Sequence, residues 1–150
     1  MTQILQVKHE KRLVLYTDGG SRLRGKRYAA AAAVLTDGEQ IIEERSRFLG
    51  ELTNNQAEYH ALLIGLDLAH SHGAGELVCI SDSQLMVRQL NGEYKVKNAG
   101  LRDLFGDVVE KISKFGMCLF VHAPREHPMI QRADQLVNET LDEVWDHRKK

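Results

Sequence analysis

Two short apolar runs, Leu13–Tyr16 and Leu77–Ser81, each lead into an aspartate, Asp18 and Asp82. Runs this short, rich in Val, Ile and Leu and bounded by turn residues, suit buried strands better than helices. If the two strands are parallel neighbours, both carboxylates leave the sheet at one edge, where open α/β sheets place their chemistry. Gly19-Gly20 follows the first aspartate and permits a tight turn and close approach of a ligand to the backbone.

The remaining segments fit around this pair. The basic stretch Arg22–Arg27 predicts an exposed loop. Tyr28–Thr36 (YAAAAAVLT) has helical propensity through its alanines, but Asp37-Gly38 and the returning run Gln40–Phe48 favour a hairpin with a tight Asp-Gly turn. Thr53 with Gln56 three residues on forms a capping box. The helix it opens, Asn54–Ser71, is apolar almost all round and so belongs in the core. Ser83 caps a second helix, Gln84–Leu90. Leu101, Leu104, Phe105, Val108, Val109 and Ile112 trace one face of a third. Met117–Ala123 predicts a third buried strand and Pro124–Ile130 a loop. Gln131–Trp145 reads as a last helix. Three strands followed by α/β alternation predict an α/β fold: a mixed five-stranded sheet, three antiparallel strands joined to parallel ones, with helices on both faces.

With 150 residues, residues 1–150 suit one domain. A net charge of −1 gives no global basic field, which leaves a local basic strip as the route to a nucleic acid. Cys79 and Cys118 sit inside apolar runs without a CxxC spacing, so they read as small core residues rather than zinc or redox sites. No apolar run approaches the roughly 18 residues of a membrane span. The opening MTQILQVKHEK lacks the apolar core of a signal peptide. These features predict a cytoplasmic protein that does not engage a membrane.

Glu58, in the first two turns of the buried helix, and Asp134, near the start of the last one, are candidates to join Asp18 and Asp82. Two bare carboxylates about 4 Å apart repel by roughly 4 kcal/mol at an effective dielectric near 20, so such a cluster calls for protons or hard cations. Mg²⁺ takes oxygen ligands of this kind, and a pair of ions about 3.5–4 Å apart suits phosphodiester hydrolysis. Each acid also has an ordinary reading. Asp18 and Asp82 serve as turn or cap residues, and Glu58 and Asp134 as early-helix acids favoured by the dipole.

The blocks YTDGGS, TNNQAEYHAL, SDSQLMVRQL with KVKN, and REHPMIQRADQLVNETLD occur in this order from Arg12 to Leu141. Together they resemble the type 1 ribonuclease H family. The resemblance implies a ribonuclease H-like fold and hydrolysis of the RNA strand of RNA·DNA hybrids by a two-metal-ion mechanism using Mg²⁺ or Mn²⁺. The ends left would be 5′-phosphate and 3′-hydroxyl. It further implies that Asp18, Glu58, Asp82 and Asp134 are the catalytic metal ligands, two ions being held once substrate is bound. Gly19, Asn54, Asn55 and Gln56 would read 2′-hydroxyls, and Thr53 and Asn98 would hold a phosphate of the DNA strand. The amides also suit a groove lined with 2′-hydroxyls on chemical grounds.

Departures from the family pattern shape the remaining expectations. Arg24 stands where many relatives have an Asn, so a phosphate contact by Arg24, or by Arg22 or Arg27, is the expected substitute. Pro124 occupies the position of a loop histidine that shuttles protons in some relatives; His127, in the same loop, is the alternative candidate, and His122 reads as structural. Ile130 replaces an Asn often found before the last acid. The segment Asn91–Gly100 is too short for the basic handle of some relatives, which predicts modest, salt-sensitive affinity. The expected partner is an RNA·DNA hybrid and the expected state a monomer. Two alternatives stand: a non-catalytic hybrid- or RNA-binding module, and a nuclease of the same fold with a broader range that includes double-stranded RNA.

Overall fold

A computed structural model describes residues 11–149, with side chains through Trp145. The opening segment 1–10, read above for a signal peptide, lies outside them. The elements are β1 (Arg12–Arg24), β2 (Lys26–Thr36), β3 (Ile41–Glu51), α1 (Asn54–Ser71), β4 (Glu76–Ser81), α2 (Gln84–Leu90), α3 (Ala99–Ile112), β5 (Met117–His122) and α4 (Pro128–Lys149). They build one five-stranded sheet in the order β3-β2-β1-β4-β5. The pairs β1–β2 and β2–β3 are antiparallel, whereas β1–β4 and β4–β5 are parallel. This is the mixed sheet the sequence predicts.

The alanine run shows why a strand wins over intrinsic helix propensity. Ala29–Ala33 are all fully buried. Ala31 and Ala33 pack into the cluster that holds Leu62 and Leu66 of α1, while Ala30 and Ala32 meet Val137 and Leu141 of α4. Alternate side chains point to opposite faces of a strand, so small residues at every position let a helix approach β2 from both sides. α1 and α3 cover one face and α4 the other. Each Leu or Val buried in these layers contributes about 1.5–3 kcal/mol.

Several local expectations change. β1 does not turn at Gly19-Gly20; it runs on to Arg24, paired with β2 throughout. The stretch Arg22–Arg27 is therefore the tip of a hairpin, turning at Gly25 with φ 78°, and not a loop. The β2–β3 connection is longer than a two-residue Asp-Gly turn. Asp37 N–H donates to the Gln40 carbonyl, and the Asp37 carboxylate accepts from the N–H groups of Glu39 and Gln40. β5 is half-exposed because it forms the sheet edge, leaving Leu119 and Val121 in contact with solvent. α4 begins at Pro128, three residues before the predicted start. Cys79 is buried and Cys118 half-buried, both as free thiols, with their sulfurs 3.8 Å apart. Among the described residues no helix is long and apolar enough to cross a membrane.

Candidate active site

The sheet register brings the two aspartates together. Thr17 and Ser81 form the last β1–β4 pair, so Asp18 and Asp82 are the next residues on adjacent parallel strands. Asp82 leaves the sheet there, and Asp18 stays in β1 opposite Ala32 of β2. Glu58 arrives from α1. The Gly19 N–H donates to Glu58 Oε1 at 2.6 Å, tying the helix to the strand beside Asp18. A Cβ on Gly19 would lie 2.3 Å from the Ala57 carbonyl carbon, so glycine is required here by the approach of α1 and not by a turn. One carboxylate oxygen from each of Asp18, Glu58 and Asp82 lies within 4.8 Å of the others. Asp134, exposed on α4, reaches the Asp18 carboxyl by a hydrogen bond and lines the same cleft of about 310 Å³, outside the tight group of three.

The electrostatics follow from that crowding. Asp18 is pushed up to about 8, first by burial, then by the charges of Asp82 and Asp134; Arg125 pulls weakly the other way. Glu58 is raised well above the ordinary carboxylate range by burial and by Asp18 and Asp82, against the opposing pull of the Gly19 N–H. Among the described residues the only cation lining the cleft is Arg125, with Nε 3.9 Å from Asp82 Oδ2 and its side chain 83% exposed. A pair so open to solvent is too well screened to offset the cluster. Closely set carboxylates, hard oxygen donors without a buried counter-charge, fit a divalent cation such as Mg²⁺ or Mn²⁺.

The expected substrate-binding residues flank the cleft in two groups. Asn54 lines it; Arg27 Nη1 donates to Ser21 Oγ at 2.9 Å and Ser21 Oγ donates to Asn54 Oδ1 at 2.5 Å. Asn55 is exposed beside it. Thr53 and Gln56 form the capping box, Gln56 N–H to Thr53 Oγ1 at 3.1 Å and Thr53 N–H to Gln56 Oε1 at 3.0 Å. Asn98 caps α3 through Leu101 N–H at 3.2 Å. Gly100 lies between its side chain and that of Gln56, so Thr53, Gln56 and Asn98 share one patch beside the start of α1. Arg24 does not line the cleft; its guanidinium stacks 4.3 Å over the Trp145 ring.

His127 also lies outside the cleft lining. Its Nδ1 accepts from Met129 N–H at 3.1 Å, its carbonyl accepts from Gln131 N–H, and its ring rests 5.1 Å from that of Tyr16. The side chain thus caps α4, whose first residue, Pro128, needs no donor partner. Sequence reasoning passed over Ser21, Arg125 and Asn138 as site residues, and all three line the cleft. For Asn138 a signal existed: it stands four residues after Asp134, one helical turn along the same face.

Comparison with known proteins agrees with this fold. The family model described as "Reverse transcriptase-like" matches residues 16–140. A ribonuclease HI of Halobacterium salinarum is 35% identical over 96% of this chain and 71% of its own length. The bifunctional protein Rv2228c of Mycobacterium tuberculosis is 35% identical over 87% of this chain. The chain spans only 36% of the length of that protein and its mycobacterial counterparts. The crystal structure of LC11-RNase H1 in complex with RNA/DNA hybrid superposes with a TM-score of 0.81 at 37% identity, covering 89% of this chain and 99% of that one.

Proposed function

The chain belongs to the ribonuclease HI family, and from that premise we propose that it hydrolyses the RNA strand of RNA·DNA hybrids with Mg²⁺ or Mn²⁺, leaving 5′-phosphate and 3′-hydroxyl ends. The observation that carries this reading is the convergence of Asp18, Glu58 and Asp82 within 4.8 Å, with Asp134 on the same cleft. A binding module without chemistry has no use for three acids held together at such electrostatic cost.

In this reading Asp18 and Asp82 would be the central ligands, with Glu58 and Asp134 completing the set. A divalent ion held by these carboxylates would supply a water that is nucleophilic at neutral pH and charge to neutralise the leaving oxygen. The chain's own residues choose the substrate and hold it. The Gly19 N–H keeps Glu58 pointed into the cleft. Asn54, its oxygen fixed by the Ser21 hydroxyl, presents its NH₂ group as a donor to a 2′-hydroxyl, the group that separates RNA from DNA. Thr53 and Asn98, which share a patch with Gln56, suit a phosphate of the DNA strand. Arg125, exposed at the rim, offers a charge to the scissile region, a role for which His127 is less well placed because its Nδ1 is engaged in capping α4.

The test incubates end-labelled RNA·DNA hybrid, double-stranded RNA and double-stranded DNA with the chain and Mg²⁺ or Mn²⁺, against EDTA. Hybrid RNA is cleaved and EDTA stops it. Asp18→Asn and Asp82→Asn each remove several kcal/mol of transition-state stabilisation, roughly a thousandfold in rate, while circular dichroism stays native. Retention of most activity by either variant sinks this assignment of the metal ligands.

A further inference from the structure

β1 carries Asp18 into the cleft and, four residues later, brings Arg22 to the flank of α4. One arm of its guanidinium, Nη2, donates to Asn138 Oδ1 at 3.0 Å. The other, Nη1, engages the Asp142 carboxylate. Asn138 in turn donates through Nδ2 to Asp134 Oδ2 at 3.2 Å. Arginine has donors only, so the amide oxygen of Asn138 must face it and the amide NH₂ must face the opposite way. That opposite way is Asp134. Asp142 matters because it pins the second arm, which fixes the plane of the guanidinium and with it the amide.

We infer that Arg22 is a positioning residue for Asp134: through the Asn138 amide it aims the Asp134 carboxylate at Asp18 and thereby sets how well the α4 side of the site holds a divalent ion. This rests on the metal-dependent reading above. Asp134 needs such support more than its companions do. Asp18 and Asp82 are placed by strand register, and Glu58 is held by a backbone N–H, whereas Asp134 is exposed and is met by the side chains of Asn138 and Asp18. Groups that orient a metal ligand commonly change ion affinity or activity by about 10–100-fold. A lysine cannot replace Arg22, since one ammonium does not span Asn138 and Asp142 as a planar fork does.

The experiment compares the full chain with Arg22→Gln, Arg22→Lys, Asn138→Ala, the Arg22→Gln/Asn138→Ala double variant and Asp18→Asn. Mn²⁺ binding to the free chain is counted by electron paramagnetic resonance, and hybrid cleavage is followed for KM and kcat. Arg22→Gln and Asn138→Ala each weaken Mn²⁺ binding about tenfold. They lower kcat at limiting Mn²⁺, leave KM in place, and recover as Mn²⁺ is raised. The double variant is no worse than either single one, because both break the same relay. Arg22→Lys behaves like Arg22→Gln. Unchanged Mn²⁺ affinity in Arg22→Gln overturns the proposal, as does full rescue by Arg22→Lys with a shift confined to KM, which would make Arg22 a phosphate contact. If Arg22→Gln does not fold, Asn138→Ala reads the relay instead, and its failure to weaken Mn²⁺ binding overturns the proposal equally. Asp18→Asn separates the two levels: if it still binds Mn²⁺ and cleaves, the assignment of the metal ligands on which the relay rests fails; if it loses both while Arg22→Gln matches the parent chain, only the relay fails.

Discussion

The α1 side and the α4 side of the cleft hold their acids by different means. On the α1 side, Asp18, Glu58 and Asp82 are fixed by strand register and by one backbone N–H, in a space so close that only glycine fits at position 19. On the α4 side, Asp134 stands exposed and is steered by a side-chain amide. Backbone placement spares the entropy cost of ordering a partner side chain, while a side-chain relay can be tuned or loosened by a single substitution. On the proposed function, the first arrangement suits a permanent inner ligand set, the second an adjustable outer one.

Gly19→Ala breaks the contrast most severely. Its new Cβ presses on the α1 backbone at Ala57, so the helix must shift and Glu58 with it. A loss of roughly 3 kcal/mol in denaturant unfolding, the upper part of the overpacking range, is expected together with loss of cleavage. A stable, active Gly19→Ala chain would mean that α1 does not lie where the close contact puts it. Asp134→Ala tests the looser side: kcat falls about 10–100-fold, less than for Asp18→Asn, and unfolding stability changes little, since the group is exposed.

The inner acids also leave a signature in pH. Asp18 is raised from 3.8 to about 8, so between those values the folded chain keeps a proton that the unfolded chain has lost. Unfolding free energy in the absence of divalent ions therefore falls as pH rises through that window, and Asp18→Asn flattens the slope. On the proposed metal-dependent function, Mg²⁺ would have to displace this proton, so the stabilisation it gives would grow with pH and its binding would release a proton. Thermal melts across the window, with and without Mg²⁺, read both effects; a slope of opposite sign would show that the cluster is not desolvated. His127→Ala gives the smallest change. Loss of an α4 cap costs about 1 kcal/mol, seen as a lower melting temperature, while kcat per folded molecule drops only slightly. A large fall in kcat at unchanged stability would return His127 to the proton-shuttle role.

Much of this was legible along the chain. The bounds of α1 and α2, Asn54–Ser71 and Gln84–Leu90, agree with the structure because capping residues and apolar runs are local signals. The strand state of the alanine run followed from its flanking turn and return strand, where propensity alone pointed to a helix. Gly19 was misread because its reason is not local: the backbone that demands it belongs to a helix starting thirty-five residues later. β5 was expected to be buried because apolar content does not reveal whether a strand lies at the centre or the edge. The Arg22 relay spans 116 positions, beyond the reach of any periodicity.

By itself the sequence determined which segments become strands and helices and which carboxylates are available, since hydrophobic period, capping and residue chemistry act over a few neighbouring residues. Tertiary structure alone decided that β1 and β4 lie side by side, that α1 closes on Gly19, and that Arg22 meets α4. Those contacts depend on the order of strands and the packing of layers, where the free energy comes from surfaces that adjoin only once the whole sheet has formed.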